Sequence, residues 1–402
     1  MATKFRSFLI SFATVFAILG ASFAIIAYGR GYRLNINKGN VRSTGLISAT
    51  SDPVGSQVYV NGLLKSATNN SFAINPGWYQ VTITKEGYSP WQKQLRVQGE
   101  IVSRADAFLF STNPSLSPLT TLGVANPILS PDGTKIAYII PGAHLENGLT
   151  KKSGLWVYEL SEGPLGRNRD PLQQATVTDS FDIEKATLMW SPDSTQILAD
   201  VRTVSRLYEV ARPGSFQDVS ATRAKLWLEW EEERQTKELQ GLGVFKQPII
   251  DMATSSARVI ALSPDETKIL YEATAAATIP QVIDPPLIGT NPTNENRTVI
   301  PGNVYVYDSK EDKNFLLLTK KEVPSGAPSF IHWFPTSRHI LLTLPGKIDV
   351  MEYDRTNWVT IYAGPFDKSF IAPWSNGSRI VILTNLNPGV SSLPNLYTVN
   401  LR

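Results

Sequence analysis

"ILSPDGTKIAYI", residues 128–139, sets Pro131, Asp132 and Gly133 in a tight turn directly before an apolar strand. Proline presets φ, aspartate can accept hydrogen bonds from the amides of the turn, and glycine tolerates positive φ. The phrase returns as MWSPDSTQILAD (189–200) and ALSPDETKILYE (261–272), and more loosely as HWFPTSRHILLT (332–343) and PWSNGSRIVILT (373–384). Five copies at one phase make the stretch a repeat and the turn its punctuation. Its marker residues are Pro131 with Asp132, Pro192 with Asp193, Pro264 with Asp265, Pro335 with Trp333, and Trp374. Aligned on the apolar residue before the turn (Leu129, Trp190, Leu262, Trp333, Trp374), the fifth copy is one residue shorter.

Markers at 131, 192, 264, 335 and 376 are spaced by 61, 72, 71 and 41 residues. A bare four-stranded propeller blade needs about 40–45 residues, so the longer spacings imply insertions. Each turn is followed by an Ile- or Leu-rich strand and then by one with alternating aromatics, such as GLWVYEL (154–160) or NVYVYDS (303–309). The last copy lacks an outer strand, whereas PSLSPLTTLG (114–123) is an outer-type strand with no blade before it. The earlier strand is therefore expected to complete the final blade and remove a free sheet edge. This predicts a five-bladed β-propeller over 114–402, with six blades the alternative if an insertion hides a degenerate unit. These motifs resemble the TolB-like, WD-type propeller repeats, whose hallmark is this Ser-Pro-Asp-Gly turn.

Upstream, residues 44–110 read as short strands between turns. In SQVYVNG, Val58 and Val60 share one face, and Asn61-Gly62 is a hairpin turn because both residues tolerate positive φ. Tyr79, Val81 and Ile83 alternate with polar residues, the pattern of a half-buried strand. A small antiparallel β-sandwich is expected. Pro53, Gly55, Ser56, the Val-Tyr-Val-Asn-Gly hairpin, Pro76-Gly77 and Lys85-Glu86-Gly87-Tyr88 together resemble the PEGA domain family. The resemblance implies a surface-exposed, immunoglobulin-like or carbohydrate-binding-like module of envelope proteins, and no catalytic residues. Trp78, Tyr88 and Trp91 are candidates for a sugar-stacking platform, against the plainer reading that they pack the sandwich.

At the amino terminus, residues 8–28 are 21 positions without a charge. As a helix they reach roughly 31 Å, enough to cross a hydrocarbon core. The expectation is an uncleaved anchor within 1–33, single-pass in the cell membrane, with the bulk of the chain extracytoplasmic. A cleaved signal peptide competes, but the apolar run continues through Ile25, Ile26 and Ala27 beyond the Ser22-Phe23-Ala24 site.

The 402 residues hold 38 Lys and Arg against 35 Asp and Glu, which is too balanced for an electrostatic nucleic-acid binder. There is no cysteine, so disulfides, thiolate metal sites and a cysteine nucleophile are excluded. His144, His332 and His339 share no metal-type spacing, and no nucleophile elbow, H-E-x-x-H or phosphate loop occurs. No catalytic residue, cofactor or metal is expected. Residues 220–241 read as a helix: Ser220 can cap it, Gly241 can end it, and Glu233 and Lys237 form an i,i+4 pair. It is either packed on the propeller rim or a docking helix presenting Trp227 and Trp230. Residues 274–300, rich in Pro and Asn, read as a mobile loop. The expectation for the whole is a non-catalytic envelope scaffold that binds envelope proteins, with cell-wall glycan the alternative ligand.

Overall fold

The computed structural model describes residues 2–29, 32–35, 40–142, 150–161, 169–177, 181–323, 329–386 and 393–402. His144 lies outside them. The chain divides into two compact units, Met1–Leu109 with Pro285–Asn294, and Phe110–Asp284 with Glu295–Arg402. The segment 274–300 is thus shared between them.

The first unit opens with helix α1 (Ala2–Gly29), which contains the whole uncharged run. Its side chains are described over 12–26, and Phe12, Phe16, Leu19, Phe23 and Ile25 are all exposed there. Among the described residues no helix is long and apolar enough to cross a membrane.

The sandwich pairs two sheets. One has Gly45–Asp52 between Asn70–Ile74 and Val102–Phe108; the other runs Leu63–Ala67, Gln57–Val60, Gly77–Thr84, Trp91–Val97. Alternate residues from both sheets, Ile47, Val58, Val60, Val81, Ile83 and Leu95 among them, form its core. Asn61 and Gly62 sit at φ 49° and 79°, the double positive φ that the hairpin turn demands. The sandwich is not wholly antiparallel, as expected from its hairpins. Its first and last strands lie side by side and parallel, Leu46 opposite Val102 through Asp52 opposite Phe108. Hairpin signals report only neighbours in sequence, and this pair closes the module from its two ends.

Among the described residues the second unit holds five four-stranded antiparallel sheets. Sheet I is Ala125–Leu129, Lys135–Ile140, Gly154–Glu159 and Leu172–Thr176; sheet II is Thr187–Trp190, Gln196–Val201, Val204–Glu209 and Gln217–Asp218. Sheet III is Ala257–Leu262, Lys268–Ala273, Val304–Asp308 and Lys313–Leu318; sheet IV is Ile331–Trp333, His339–Leu344, Lys347–Glu352 and Val359–Ala363. Sheet V takes Asp367–Pro373, Arg379–Thr384 and Asn395–Asn400, and its fourth strand is Ser115–Pro118 from the start of the unit. Ser115 lies opposite Asn400 and Pro118 opposite Tyr397, so the last sheet's outer edge is covered by the first strand.

The repeated turn joins the first two strands of every sheet, and one geometry serves all five. The residue at its fourth position is left-handed each time: Gly133 (φ 68°), Ser194 (61°), Glu266 (55°), Ser337 (58°) and Gly377 (68°). In the first three copies the serine hydroxyl donates to the aspartate, and the same aspartate oxygen accepts the amide two residues on. The hydroxyl distances are 2.5, 2.6 and 2.7 Å for Ser130, Ser191 and Ser263. In the fifth copy Asn376 Oδ1 takes that amide role, accepting from Ser378 at 2.9 Å. Burial pushes the carboxyls of Asp132, Asp193 and Asp265 up, but these hydrogen bonds outweigh it and hold all three below the ordinary aspartate range.

The strand register corrects the alignment of the fifth copy. Leu129 lies opposite Ile136, and the matching pair in sheet V is Pro373 opposite Ile380. Trp374 therefore occupies the place of Ser130, its carbonyl accepting from Gly377 as that of Ser130 does from Gly133. Asn376 stands where Asp132 does, and no residue is missing. Tryptophan misled the alignment because Trp190 and Trp333 do precede their turns.

Candidate functional site

Strand pleating sends alternate residues of each sheet to opposite faces, so every sheet has two neighbours to satisfy. Sheets I and II pack directly: Ala137, Ile139 and Leu155 share a core with Trp190, Ile197 and Tyr208. Sheets III and IV do the same through Leu270, Val304 and Phe315 against Trp333, Ile340 and Met351. Two polar stitches recur at these junctions. Trp190 Nε1 donates to the Ile128 carbonyl and Trp333 Nε1 to that of Ala261, each at 3.3 Å. The Asp132 amide donates to Ser194 Oγ at 3.1 Å, and the Asp265 amide to Ser337 Oγ at 3.0 Å.

The junction between sheets II and III is built otherwise. Its stitching positions carry Leu262 and Glu266, which have neither an indole N–H nor a hydroxyl. Helices α2 (Arg223–Leu242) and α3 (Gln247–Ser255) cover the facing surfaces instead. Leu198 and Leu207 of sheet II bury Trp230 and Val219. Ile269, Tyr271 and Tyr305 of sheet III bury Leu242, Phe245, Ile249 and Met252. Lys237 Nζ donates to the Pro192 carbonyl at 3.0 Å, tying α2 to the turn of sheet II.

This arrangement leaves a groove of about 540 Å³. One wall is α2, through Trp227, Glu231, Arg234 and Glu238; the others are Met189, Trp190 and Pro192 of sheet II and Val259–Leu262 of sheet III. Arg234 pairs with Glu231, and Lys237 with Glu233 at 2.9 Å. Among the described residues Glu238 makes no ion pair or hydrogen bond. Trp227 is 49% exposed, and Leu228 and Leu239 on the outer side of α2 are 55% and 64% exposed.

The predicted docking pair is thus split. Trp230 is 8% exposed and structural, while Trp227 faces solvent. Ser220 does not cap α2: its hydroxyl accepts the Ser205 amide and donates to Asp218, and the helix begins three residues later. The sandwich aromatics are split as well. Trp91 is in the core, Tyr88 packs partly against it, and only Trp78 is largely exposed, with the Arg96 guanidinium 5.9 Å from its ring centre. They form no common stacking face.

The segment 274–300 carries a strand pair and a buried clamp at its base. Ala277–Thr278 pairs with Thr298–Val299. Buried Asp312 accepts the amides of Val282 and Ile283 at 2.8 and 3.0 Å and the Tyr307 hydroxyl at 2.9 Å, and it pairs with Arg297. Composition cannot reveal this, because the clamp belongs to the hairpin that follows. A smaller cleft of about 260 Å³ between sheets I and II holds Arg206 between the rings of Phe181 and Phe216, at 4.3 and 4.1 Å. No sequence signal marked it.

Residues 44–110 match the PEGA domain family. No curated protein matches the chain. Among solved structures it is similar to TolB from Acinetobacter baumannii, at 13% identity and a TM-score of 0.23, over 80% of this chain and 59% of that one. It is also similar to the β-propeller domain of Cps50 (Swd1) from Myceliophteria thermophila, at 9% identity and a TM-score of 0.28, over 72% of this chain and all of that one. At these scores the description of the second unit rests on its own strand order and turns.

Proposed function

We propose that this chain is a non-catalytic envelope protein, anchored by α1, whose five sheets close as the blades of a propeller that serves as a protein-interaction scaffold. The docking surface is α2 with the groove beside it. One observation carries the reading: at the junction of sheets II and III, where helices cover the facing surfaces, Trp227, Leu228 and Leu239 remain exposed on a helix held through buried Trp230 and Leu242. Exposed large apolar side chains beside a cleft are what a partner surface needs, and tryptophan is a favoured anchor in such surfaces. The matched PEGA module at 44–110 supports placement at the envelope. The glycan alternative is weaker, because its three candidate rings share no face.

The anchor rests on residues 8–28 of the sequence, all within α1. A mature protein that starts near residue 25 and stays in the supernatant after membrane sedimentation would sink the anchor. The docking surface is tested by placing a photo-crosslinking amino acid at 227 or 239 in cells, with the exposed position 368 of sheet V as control. Discrete protein adducts from 227 and 239 alone support it; adducts equal at all three, or none, reject it.

A further inference from the structure

The parallel pairing of Gly45–Asp52 with Val102–Phe108 gives the sandwich a direction: the chain enters at the Gly45 end and leaves at the Phe108 end. At about 3.3 Å per residue the two ends lie roughly 23 Å apart. Both sheets share the entry end. Gly45 packs against Val97, where a Cβ would fall 2.4 Å from Val97 Cγ1, and Val97 pairs with Gly77 at the start of its strand. The turn at 98–101 closes the same end, the Glu100 amide donating to the Thr44 carbonyl at 3.2 Å.

Large apolar side chains stand exposed around this end. Trp78 is the second residue of its strand, and Val102, the first of its own, lies opposite Leu46. Residues Pro285–Asn294 belong to the same unit. There Gly289 sits on Ile101, where a Cβ would come within 2.9 Å of Ile101 Cγ2, and beside it Leu287 is exposed and Ile288 is 71% exposed. Trp78 and Val102 stand on different sheets, so no one small ligand spans them, but both lie within a residue of the end. A flat apolar surface is what meets such a rim. Exposed Leu63 is not part of it: it neighbours Val60, which lies opposite Val81, four residues or roughly 13 Å from Gly77.

The chain itself brings this end to α1. Tyr32 lies opposite Ser43, so residues 32–43 return to their starting point. Gly29 ends α1 three residues before Tyr32, and Gly45 follows Ser43 by two. With at most about 3.6 Å per residue and about 5 Å across the pair, Gly45 lies within roughly 24 Å of the end of the helix. Residues 30–44 carry Arg30, Arg33, Lys38 and Arg42 and no acid, and Arg96 lies beside Trp78, with Glu100 the acid against them. An indole and basic residues directly after an apolar helix suit the headgroup layer of a bilayer.

We infer that the Gly45 end of the sandwich rests on the lipid surface, with Trp78, Val102, Leu287 and Ile288 in the interfacial layer and the basic tether among the headgroups. The inference rests on the anchor proposed above and gives the chain a second contact with the same membrane.

The chain has no cysteine, so one introduced cysteine takes a fluorophore at a single place. The test uses the full chain in vesicles of phosphatidylcholine and phosphatidylglycerol, with Trp78→Cys, Ile288→Cys, Val54→Cys and Phe16→Cys labelled in turn. Val54 is an exposed apolar residue just past the Asp52 end. These side chains are exposed, so unchanged thermal melts will show that the variants fold. Labels at 78 and 288 should lose about half their emission to nitroxides on the lipid headgroups, as expected of groups seated in the interface, and the label at 54 none. Equal quenching at 54, 78 and 288, or none at 78 and 288, overturns the inference. Nitroxides on the acyl chains report on position 16 separately. If 16 is quenched and 78 and 288 are not, the anchor stands and the seat falls. If 78 and 288 are quenched and 16 is not, the anchor falls and the lipid contact of the sandwich stands alone. Quenching at none of them removes both.

Discussion

The junctions I–II and III–IV and the junction II–III solve the same problem with different material. In the first two, neighbouring sheets meet face to face and are stitched twice, by an indole and by a serine hydroxyl at equivalent positions. At the third, leucine and glutamate stand in those positions, and some thirty residues of helix fill the space that side chains fill elsewhere. The difference teaches where a repeat can be opened without loss of the fold. A junction closed by its own sheets leaves at most a small cleft, as between sheets I and II, whereas one closed by an insertion can also present the insertion's far side.

The comparison breaks most visibly at the tryptophans. Trp190→Ala and Trp333→Ala should each cost about 3–5 kcal/mol, the range for truncating a buried large aromatic, and by similar amounts because their surroundings match. Trp230→Ala should fall in the same range, since that indole plays the buried part at the helical junction. Trp227→Ala should stay within about 0.5 kcal/mol, as expected of an exposed side chain. Urea unfolding of the four variants checks this, and a costly Trp227→Ala would show that α2 has no free face.

A finer contrast lies in the hydroxyl stitches. Ser194→Ala and Ser337→Ala each remove the acceptor of a part-buried backbone amide, for about 1–2 kcal/mol. Glu266→Ala, at the equivalent position of the helical junction, should change stability by less than about 0.5 kcal/mol. Equal losses at all three sites in the same unfolding assay would contradict the idea that II–III is built differently.

Smallest should be the effect of acid on the turns. The folded aspartates 132, 193 and 265 lie below their unfolded values. Their contribution is therefore present above the ordinary aspartate pKa of about 3.9 and disappears as pH falls through the lower folded values. Replacing all three by Asn should flatten stability between about pH 4 and pH 2, with little change in shape near neutrality. An unchanged acid limb would mean that solvent screening leaves these carboxylates without net effect.

Much of the fold is legible in the sequence because the repeat is encoded locally. A turn of Pro, Asp and a left-handed residue needs only its own side chains; it marks the first hairpin of sheets I to III, and Thr336 and Asn376 stand in the aspartate's place in sheets IV and V. What depends on distant partners is not legible. The parallel pairing of Gly45–Asp52 with Val102–Phe108 joins the two ends of a module, and no hairpin signal reports it. The register of Trp374 is visible only through its partner strand. Helix α2 shows in its i,i+4 pairs, yet its seat between two sheets is visible only in the burial of Trp230 by one sheet and Leu242 by the other. Within the candidate site Trp227 was legible as a residue type. Its exposure beside a buried Trp230 was not, because that depends on which face of α2 the sheet covers.

Amide hydrogen exchange on the full chain, read by peptide mass, tests the contrast between junctions most directly. Opening at a junction exposes the strands that flank it, and local opening sets exchange in the native state. The account predicts that Ala257–Leu262 and the outer turns of α2 exchange at least about tenfold faster than Thr187–Trp190 and Ile331–Trp333, the entry strands of the two stitched junctions. Uniform protection across all three junctions, or slower exchange at Ala257–Leu262, would contradict it.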